Sequence, residues 1–382
     1  MSLELQNTLK TFYAAHDCIE LEFLMDDLGT APDKKWMGYY IANADDDMLV
    51  DIPEHIKPFS IDKTFIRDLK SVAKNLVRTK IPDLTVTTEE DTEIIKAIKL
   101  KYGIVSFDGA TCQTTVDFSE ETSLMYILNA SLQQNELDYF DGTTPVLLQH
   151  RETNKVLYKG QYDFFYVLGD GKVTVKFYEG NTLVHTTVHT FVDEFKVNIV
   201  NVSPHLYGQS NNNVTKAEIL IIHSTVVDDT LLNQYNIFYK ENCKDDINIG
   251  IVYLDSFGGR LALPLNKIIK KELVTKGDEI QKAYNCESES FEYGGTSLIN
   301  VINKDRKTFR FQISYSLNNL EIIRQFFSSP GKHIQSGTGA NAILNKCNLE
   351  NGTYVVYEDS NLIDVKFNVV MAEDKKTQKQ DR

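Results

Sequence analysis

The 382-residue sequence is poor in cysteine, and the count is odd: Cys18, Cys112, Cys243, Cys286 and Cys347. An odd number excludes a complete disulfide framework. Wide spacing, without a CxxC pair or histidines at ligand spacing, excludes the usual zinc arrangements. The five read as reduced, mostly buried thiols of a protein folded in a cytoplasm. Positive charge is also in deficit. Forty Lys and Arg stand against fifty-four Asp and Glu, a formal net charge of −14. That argues against a general nucleic-acid-binding surface, which needs clustered cations to neutralise phosphates. No apolar run approaches the ~20 residues that span a bilayer as a helix. The opening MSLELQNTLKTFYAAHDCIELEF has no basic segment leading into an apolar one, so no secretory signal is expected. Asn-x-Ser/Thr triplets such as Asn201-Val202-Ser203 are accordingly read as chance.

Patterns of catalysis are missing too. There is no GxSxG elbow, HExxH helix or Walker loop, and Gly337-Thr338-Gly339 opens no βαβ unit. Acidic pairs are too frequent in an acidic β-rich chain to support a glycosidase reading. Asp45-Asp46-Asp47 lacks the D-x-[DN]-x-[DN]-G spacing of a calcium loop and reads as a solvated turn. His185 and His189 lie in a strand pattern, ~13 Å apart by the rise per residue, too far to share a metal. The expectation is a non-enzyme without cofactor or metal.

What is present is β periodicity, centred on Asn248–Leu265, NIGIVYLDSFGGRLALPL. Ile249, Ile251 and Tyr253 share one face and Val252 and Leu254 the other, so this strand is internal. Asp255-Ser256-Phe257-Gly258-Gly259 supplies a turn in which paired glycines accept positive φ. Leu261, Leu263 and Leu265 return the chain, with Pro264 marking an edge. A second hairpin is expected from Val156, Tyr158, Tyr162, Phe164, Tyr166 and Leu168 on one face, the Gly169-Asp170-Gly171 turn, and Val173, Val175 and Phe177 returning. Lys155, Lys159, Gln161 and Asp163 take the opposite, polar face. Leu183–Val188 and Phe195–Val202 are further strands. Ile219-Leu220-Ile221-Ile222 reads as buried on both faces, with His223 at its rim. Tyr207–Asn213 is a linker or a crossover between sheets.

Helices are expected over Ile61–Thr79, where Phe65, Leu69, Val72 and Leu76 recur at three and four residues, over Glu89–Leu100, and over Glu120–Gln133. A short helix near 319–328 begins at Asn318, a cap with Glu321 three residues on, and stops at Ser329-Pro330-Gly331. It lies between the strand pattern Phe309–Leu317 and a last strand carrying Ile363, Val365, Phe367, Val369 and Met371. Two echoes, Phe107–Thr111 and Phe140–Thr144, are read as coincidental Asp-Gly turns, and Glu287–Gly295 as an exposed loop. The fold class is mainly β with some α: antiparallel sandwich-like domains plus a mixed α/β N-terminal region. The domains are residues 1–145, 146–206 and 214–382.

Tyr235-Asn236-Ile237-Phe238-Tyr239-Lys240-Glu241-Asn242-Cys243, followed by Ile251-Val252-Tyr253-Leu254-Asp255-Ser256-Phe257-Gly258-Gly259, resembles a pattern in tail proteins of crAss-like, short-tailed phages of Bacteroidetes. There a strand ending in Cys leads into a Leu-Asn-Ser-aromatic-Gly-Gly hairpin. This chain has Asp255 where Asn is usual. The closing FRFQISYSL, NNLEIIRQFFSSPG, TYVVYED and NLIDVKFNVVMA resemble the last strand, helix and strand pair of the same proteins, so the likeness spans roughly the last half of the chain. Cys243, Tyr253, Leu254, Asp255, Ser256, Gly258 and Gly259 are its structural motif. The resemblance implies a virion structural protein, a homo-oligomeric ring of on the order of twelve copies joined by heterologous contacts. Such a ring touches other tail and portal-proximal proteins, and DNA meets it only in passing through a channel. It would be made in the bacterial host cytoplasm. A second reading is a carbohydrate- or receptor-binding β-sandwich using Trp36, Tyr39 or Tyr293 as a stacking platform.

Overall fold

A computed structural model describes residues 3–7, 9–25, 35–49, 54–56, 64–108, 113–131, 143–210, 213–224, 229–241, 249–265, 268–281, 296–337, 341–357, 359, 361–371 and 375–376. These residues are mostly strand, in five sheets with two short α-helices, so the mainly-β expectation holds. Cys243, Tyr293, the Glu287–Gly295 loop and most of both Asp-Gly echoes lie outside the described residues.

Two sheets and a helix enclose the first core. Leu3–Leu5, Glu20–Met25 and Thr64–Asp68 pair antiparallel, while Ile95–Asp108 joins Met125–Leu128, Lys35–Ala42 and Gln113–Glu121. Phe23, Phe65, Met37, Tyr39 and Leu100 are buried together between them. Helix is much scarcer here than the periodicity predicts. Residues 61–63 lie outside the described set. Phe65 belongs to a strand, and only Lys70–Leu76 is helical, so the 65–69 spacing straddles two elements. Glu89–Leu100 is two strands, Thr88–Asp91 and the start of Ile95–Asp108, because Ile98, Leu100 and Tyr102 bury every second residue. Met125–Leu128 is likewise a strand, paired on both sides. The acidic turn at 45–47 is exposed, as expected; Asn43 Oδ1 accepts from the Asp45 and Asp47 amides at 2.9 and 2.8 Å.

The middle of the chain is a sandwich. Its four-stranded sheet runs Val146–Leu147, Phe164–Leu168, Val197–Asn201, Thr88–Asp91. The five-stranded one runs Asn154–Tyr158, Asp229–Lys240, Lys216–Ser224, Gly171–Glu179, Thr182–Phe191. Phe165 and Val167 meet Val173, Val175, Ile219 and Ile221 between the layers. Phe164, Tyr166 and Leu168 point the other way, into a core with Phe12, Leu128, Val252 and Ala262. Phe164–Leu168 is thus buried on both faces, at every one of its residues.

That position overturns the second predicted hairpin. Asn154–Tyr158 and Phe164–Leu168 belong to different sheets, and Gly169-Asp170-Gly171 carries the chain from one layer to the other. Gly171 is needed there: a Cβ would sit 2.7 Å from the Ile222 carbonyl oxygen and from Pro145. The facing is inverted in the first strand, where Lys155 and Leu157 are buried and Val156 is exposed. In the second, Tyr162, Phe164, Tyr166 and Leu168 are buried as expected, but Gln161 and Asp163, from the polar face, are buried too, at 2% and 0% exposed. Ile219 and Ile221 are buried but Leu220 and Ile222 are half-exposed, so that strand has one core face and not two. The segment after Asn201 does cross between the sheets, through a 3-10 turn at Pro204–Tyr207 closed by Gly208 at φ +71°.

The C-terminal sheet is the largest: Arg260–Leu265, Ile249–Leu254, Lys332–Ser336, Ile343–Tyr357, Leu362–Met371, Thr296–Ser314 and Ile268–Gln281 in spatial order, with Lys375–Lys376 beside Thr296–Ser314. The organising hairpin forms as expected, with Ile249–Leu254 internal and Pro264 on the edge strand; its register places Tyr253 opposite Leu261. Helix Leu317–Ser328 covers the sheet with Ile322, Ile323 and Phe326 against Tyr253, Phe309 and Phe367. Its cap is Ser316, not Asn318: Ser316 Oγ accepts from the Asn319 amide at 3.0 Å. Asn318 is two positions too late and reaches outward to the Arg151 carbonyl.

Candidate functional site at the hairpin tip

The tip of the organising hairpin is a junction for distant stretches of chain. Asp255 closes the turn: its amide donates to the Gly259 carbonyl at 2.8 Å, its carbonyl accepts from Gly258, and its Oδ1 accepts from the Phe257 amide at 2.9 Å. Buried Asp255 also meets His150 Nδ1 at 3.0 Å. The Ser256 carbonyl accepts from Ser131, and Thr79 Oγ1 donates to the Gly258 carbonyl at 2.5 Å. The two glycines allow the approach of other backbone. At Gly258, φ is +97° and a Cβ would lie 2.4 Å from the Asn129 carbonyl oxygen. At Gly259 it would lie 2.3 Å from that of Leu148, which accepts the Gly259 amide at 2.9 Å. No other residue type fits either position without moving main chain.

Arg260 continues the junction. Its guanidinium donates to the carbonyls of Lys80, Thr79 and Gly331 at 3.1, 3.2 and 3.3 Å and lies 3.4 Å from His333 Nδ1. Burial, with Arg260 beside it, pushes the His333 imidazole down to about 4. Tyr253 sits in the core with its hydroxyl donating to the Ile322 carbonyl at 3.3 Å. The Leu254 amide reaches Ser329 Oγ and the Gly331 carbonyl. Of the motif residues, Tyr253, Leu254, Asp255, Ser256, Gly258 and Gly259 are therefore brought together; Cys243 lies outside the described residues.

Beside the junction is an ionic cluster that sequence reading missed. Asp163, fully buried, accepts two hydrogen bonds from Arg151 at 2.9 and 2.8 Å and one from Lys155 at 3.0 Å. The Arg151 guanidinium stacks 3.7 Å from the Phe165 ring centre and donates to the Phe164 carbonyl. Burial works to raise the Asp163 carboxyl, but two neighbouring cations outweigh it and hold the group below its usual range. Lys155 has only a share of that carboxylate, and burial lowers its ammonium to about 8. No spacing signal marks this trio, since in an alternating pattern Lys155 and Asp163 look like a wet face.

A cleft of about 330 Å³ opens next to the cluster, lined by Glu152, Lys155, Val156, Leu261 and Phe311 among others. Burial raises the Glu152 carboxyl, with Lys155 opposing. No group of three or more His, Cys, Asp or Glu side chains placed to hold a metal is found among the described residues. No described helix is long and apolar enough to cross a membrane, which says nothing of a β-barrel. Tyr39 is 2% exposed and packed in the first core, so it cannot serve as a stacking platform; Trp36 is half-buried.

No family model matches the chain, and no curated protein matches it. Among solved structures, the chain is similar to one from the tail of an empty gene transfer agent (GTA) particle determined with helical refinement and C6 symmetry. That match has 11% identity and a TM-score of 0.22, covering 36% of this chain and 98% of that one. A second similar chain comes from the virion of a native GTA particle, with 10% identity and a TM-score of 0.21, covering 35% of this chain and 95% of that one. TM-scores of this size do not establish a shared fold.

Proposed function

We propose that this chain is a non-enzymatic structural protein of a virion, a subunit of a homo-oligomeric ring in the tail of a short-tailed phage. It acts through shape and self-association, and DNA passes through the channel that the ring helps form. The reading is carried by the Asp255–Gly259 tip: the residues that make the resemblance to crAss-like phage tail proteins, from Leu254 to Gly259, are those spent on tying residues 79, 131, 148, 150 and 331 to one point, and Arg260 beside them adds Lys80. Side chains that elsewhere do chemistry are here consumed in bracing. Asp255 and Asp163 are both fully engaged in local bonds, and such bracing suits a subunit that must keep its shape under load. The net charge of −14 suits a channel that repels DNA and does not hold it. The test is the oligomeric state of the full chain, by light scattering and electron-microscope class averages, alone and mixed with neighbouring tail proteins. Closed rings, alone or templated by a partner, are expected; a monomer under all these conditions overturns the proposal.

A further inference from the structure

One edge strand of this molecule is unlike the rest. The margin of the five-stranded sheet is Thr182–Phe191, TLVHTTVHTF, ten residues without a charge or a proline. Natural sheets blunt their edges with charge, proline, brevity or cover, because an open row of N–H and C=O groups is a template for another strand. Among the described strands, the other margins follow that rule. Phe12–Ala14 and Val146–Leu147 are three and two residues long. Thr88–Asp91 and Ile268–Gln281 are charged. Arg260–Leu265 carries Pro264, and its Arg260 and Ala262 carbonyls accept from the Gln149 and Lys155 side chains. In Thr182–Phe191 a single bulge at Val184 precedes a regular stretch from His185 onward. Leu183 and Val188, both about half exposed, stand on it.

The opposite margin of the same sheet is Asn154–Tyr158, parallel to Asp229–Lys240. The Thr153 carbonyl accepts from Asn236 and the Lys159 amide donates to Lys240, so odd-numbered residues face that partner. The main-chain groups of Asn154 and Val156 therefore point outward, over the cleft walled by Leu261 and Phe311. The direction also fits. One parallel and three antiparallel pairings make the two margins run oppositely, so copies joined margin to margin by one repeated rotation form an antiparallel pair.

We infer that Thr182–Phe191 of one copy adds as a strand to the Asn154–Val156 margin of a second copy of this chain, seated in the cleft beside Leu261 and Phe311. The contact is heterologous, so it repeats around a ring. This rests on the self-assembly part of the proposed function. The experiment uses the full chain with Val188→Lys, which charges the donor margin, and Val156→Lys, which charges the receiver. Circular dichroism and melting temperature check that each is folded. Each variant alone is expected to be monomeric by light scattering, and an equimolar mixture to form one-to-one dimers through the single intact contact. In those dimers the outward-facing amides of His185–Phe191, those not bonded to Gly171–Glu179, become protected from hydrogen exchange on the V156K copy. Variants that still assemble like the parent, or a mixture that stays monomeric, overturn this contact and leave self-assembly standing. A parent chain that never assembles overturns both.

Discussion

The ammonium of Lys155, on the margin of the five-stranded sheet, donates to the carbonyl oxygen of Ala262, on the margin of the eight-stranded sheet. One side chain thus clips two sheets together while sharing the Asp163 carboxylate with Arg151. The middle and C-terminal layers are joined through an ammonium whose charge burial disfavours, lowering it to about 8, and which the Asp163 carboxylate sustains.

Removing the shared anion is expected to be far worse than removing either layer's contact. Asp163→Ala leaves two buried cations facing each other and is expected to cost roughly 3–5 kcal/mol. Lys155→Met keeps the stem and leaves Arg151 on Asp163. Its cost is about 1–2 kcal/mol, that of an unpaired Ala262 carbonyl. Urea midpoints of the two variants decide. Equal losses would show that Lys155, not Asp163, is the centre of the cluster.

The glycines of the tip separate conformational strain from collision. Gly180 has φ +59° with nothing near a built Cβ, so Gly180→Ala carries only the left-handed penalty of about 1 kcal/mol. Gly258→Ala adds to that penalty a collision with the Asn129 carbonyl, while Gly259→Ala, at a residue whose φ is not positive, meets the Leu148 carbonyl without it; overpacking of this kind costs about 1–3 kcal/mol. The expected order of thermal stability is Gly180→Ala above both. If all three melt together, the tip is not a tight junction.

The start of the C-terminal helix gives a finer comparison. Ser316→Ala removes the acceptor of the Asn319 amide and is expected to cost about 1 kcal/mol. Asn318→Ala, on an exposed outward residue, is expected to stay within about 0.5 kcal/mol. A larger loss at Asn318 would restore it as the cap.

How far these features were legible in the sequence follows from what alternation can encode. The hairpin at Ile249–Leu265 was legible because its strand, its turn and its returning leucines obey one local rule. Helices over Glu89–Leu100 and Glu120–Gln133 were misread because Ile94 and Ile98, and Leu124 and Leu128, stand four apart, a spacing that suits both periods, and cross-strand pairing decided between them. The Lys155–Asp163 trio stayed hidden for a different reason. Polar residues between apolar ones signal solvent only if one face of the strand is wet, and Phe164–Leu168 lies between two cores. Burial of that second face is set by residues from distant stretches, Phe12, Leu128, Val252 and Ala262 among them, and no local pattern records it.

Acid should loosen the junction through His333. Its imidazole is held down to about 4, from an ordinary 6.5, first by burial and then by Arg260 and Lys346. A base whose folded value is depressed stays neutral in the native state while the unfolded chain already binds a proton. Its contribution to stability is therefore complete above pH 6.5 and is lost progressively as the pH falls toward 4. The full shift corresponds to on the order of 3 kcal/mol. His333→Gln keeps an acceptor for Arg260 but cannot take up the proton. The difference in unfolding free energy between parent and variant, measured by urea denaturation from pH 7.5 to 4, should shrink by that amount in the variant's favour. A difference that stays constant across the range would mean that the imidazole titrates normally, and that the packing around Arg260 opens to water.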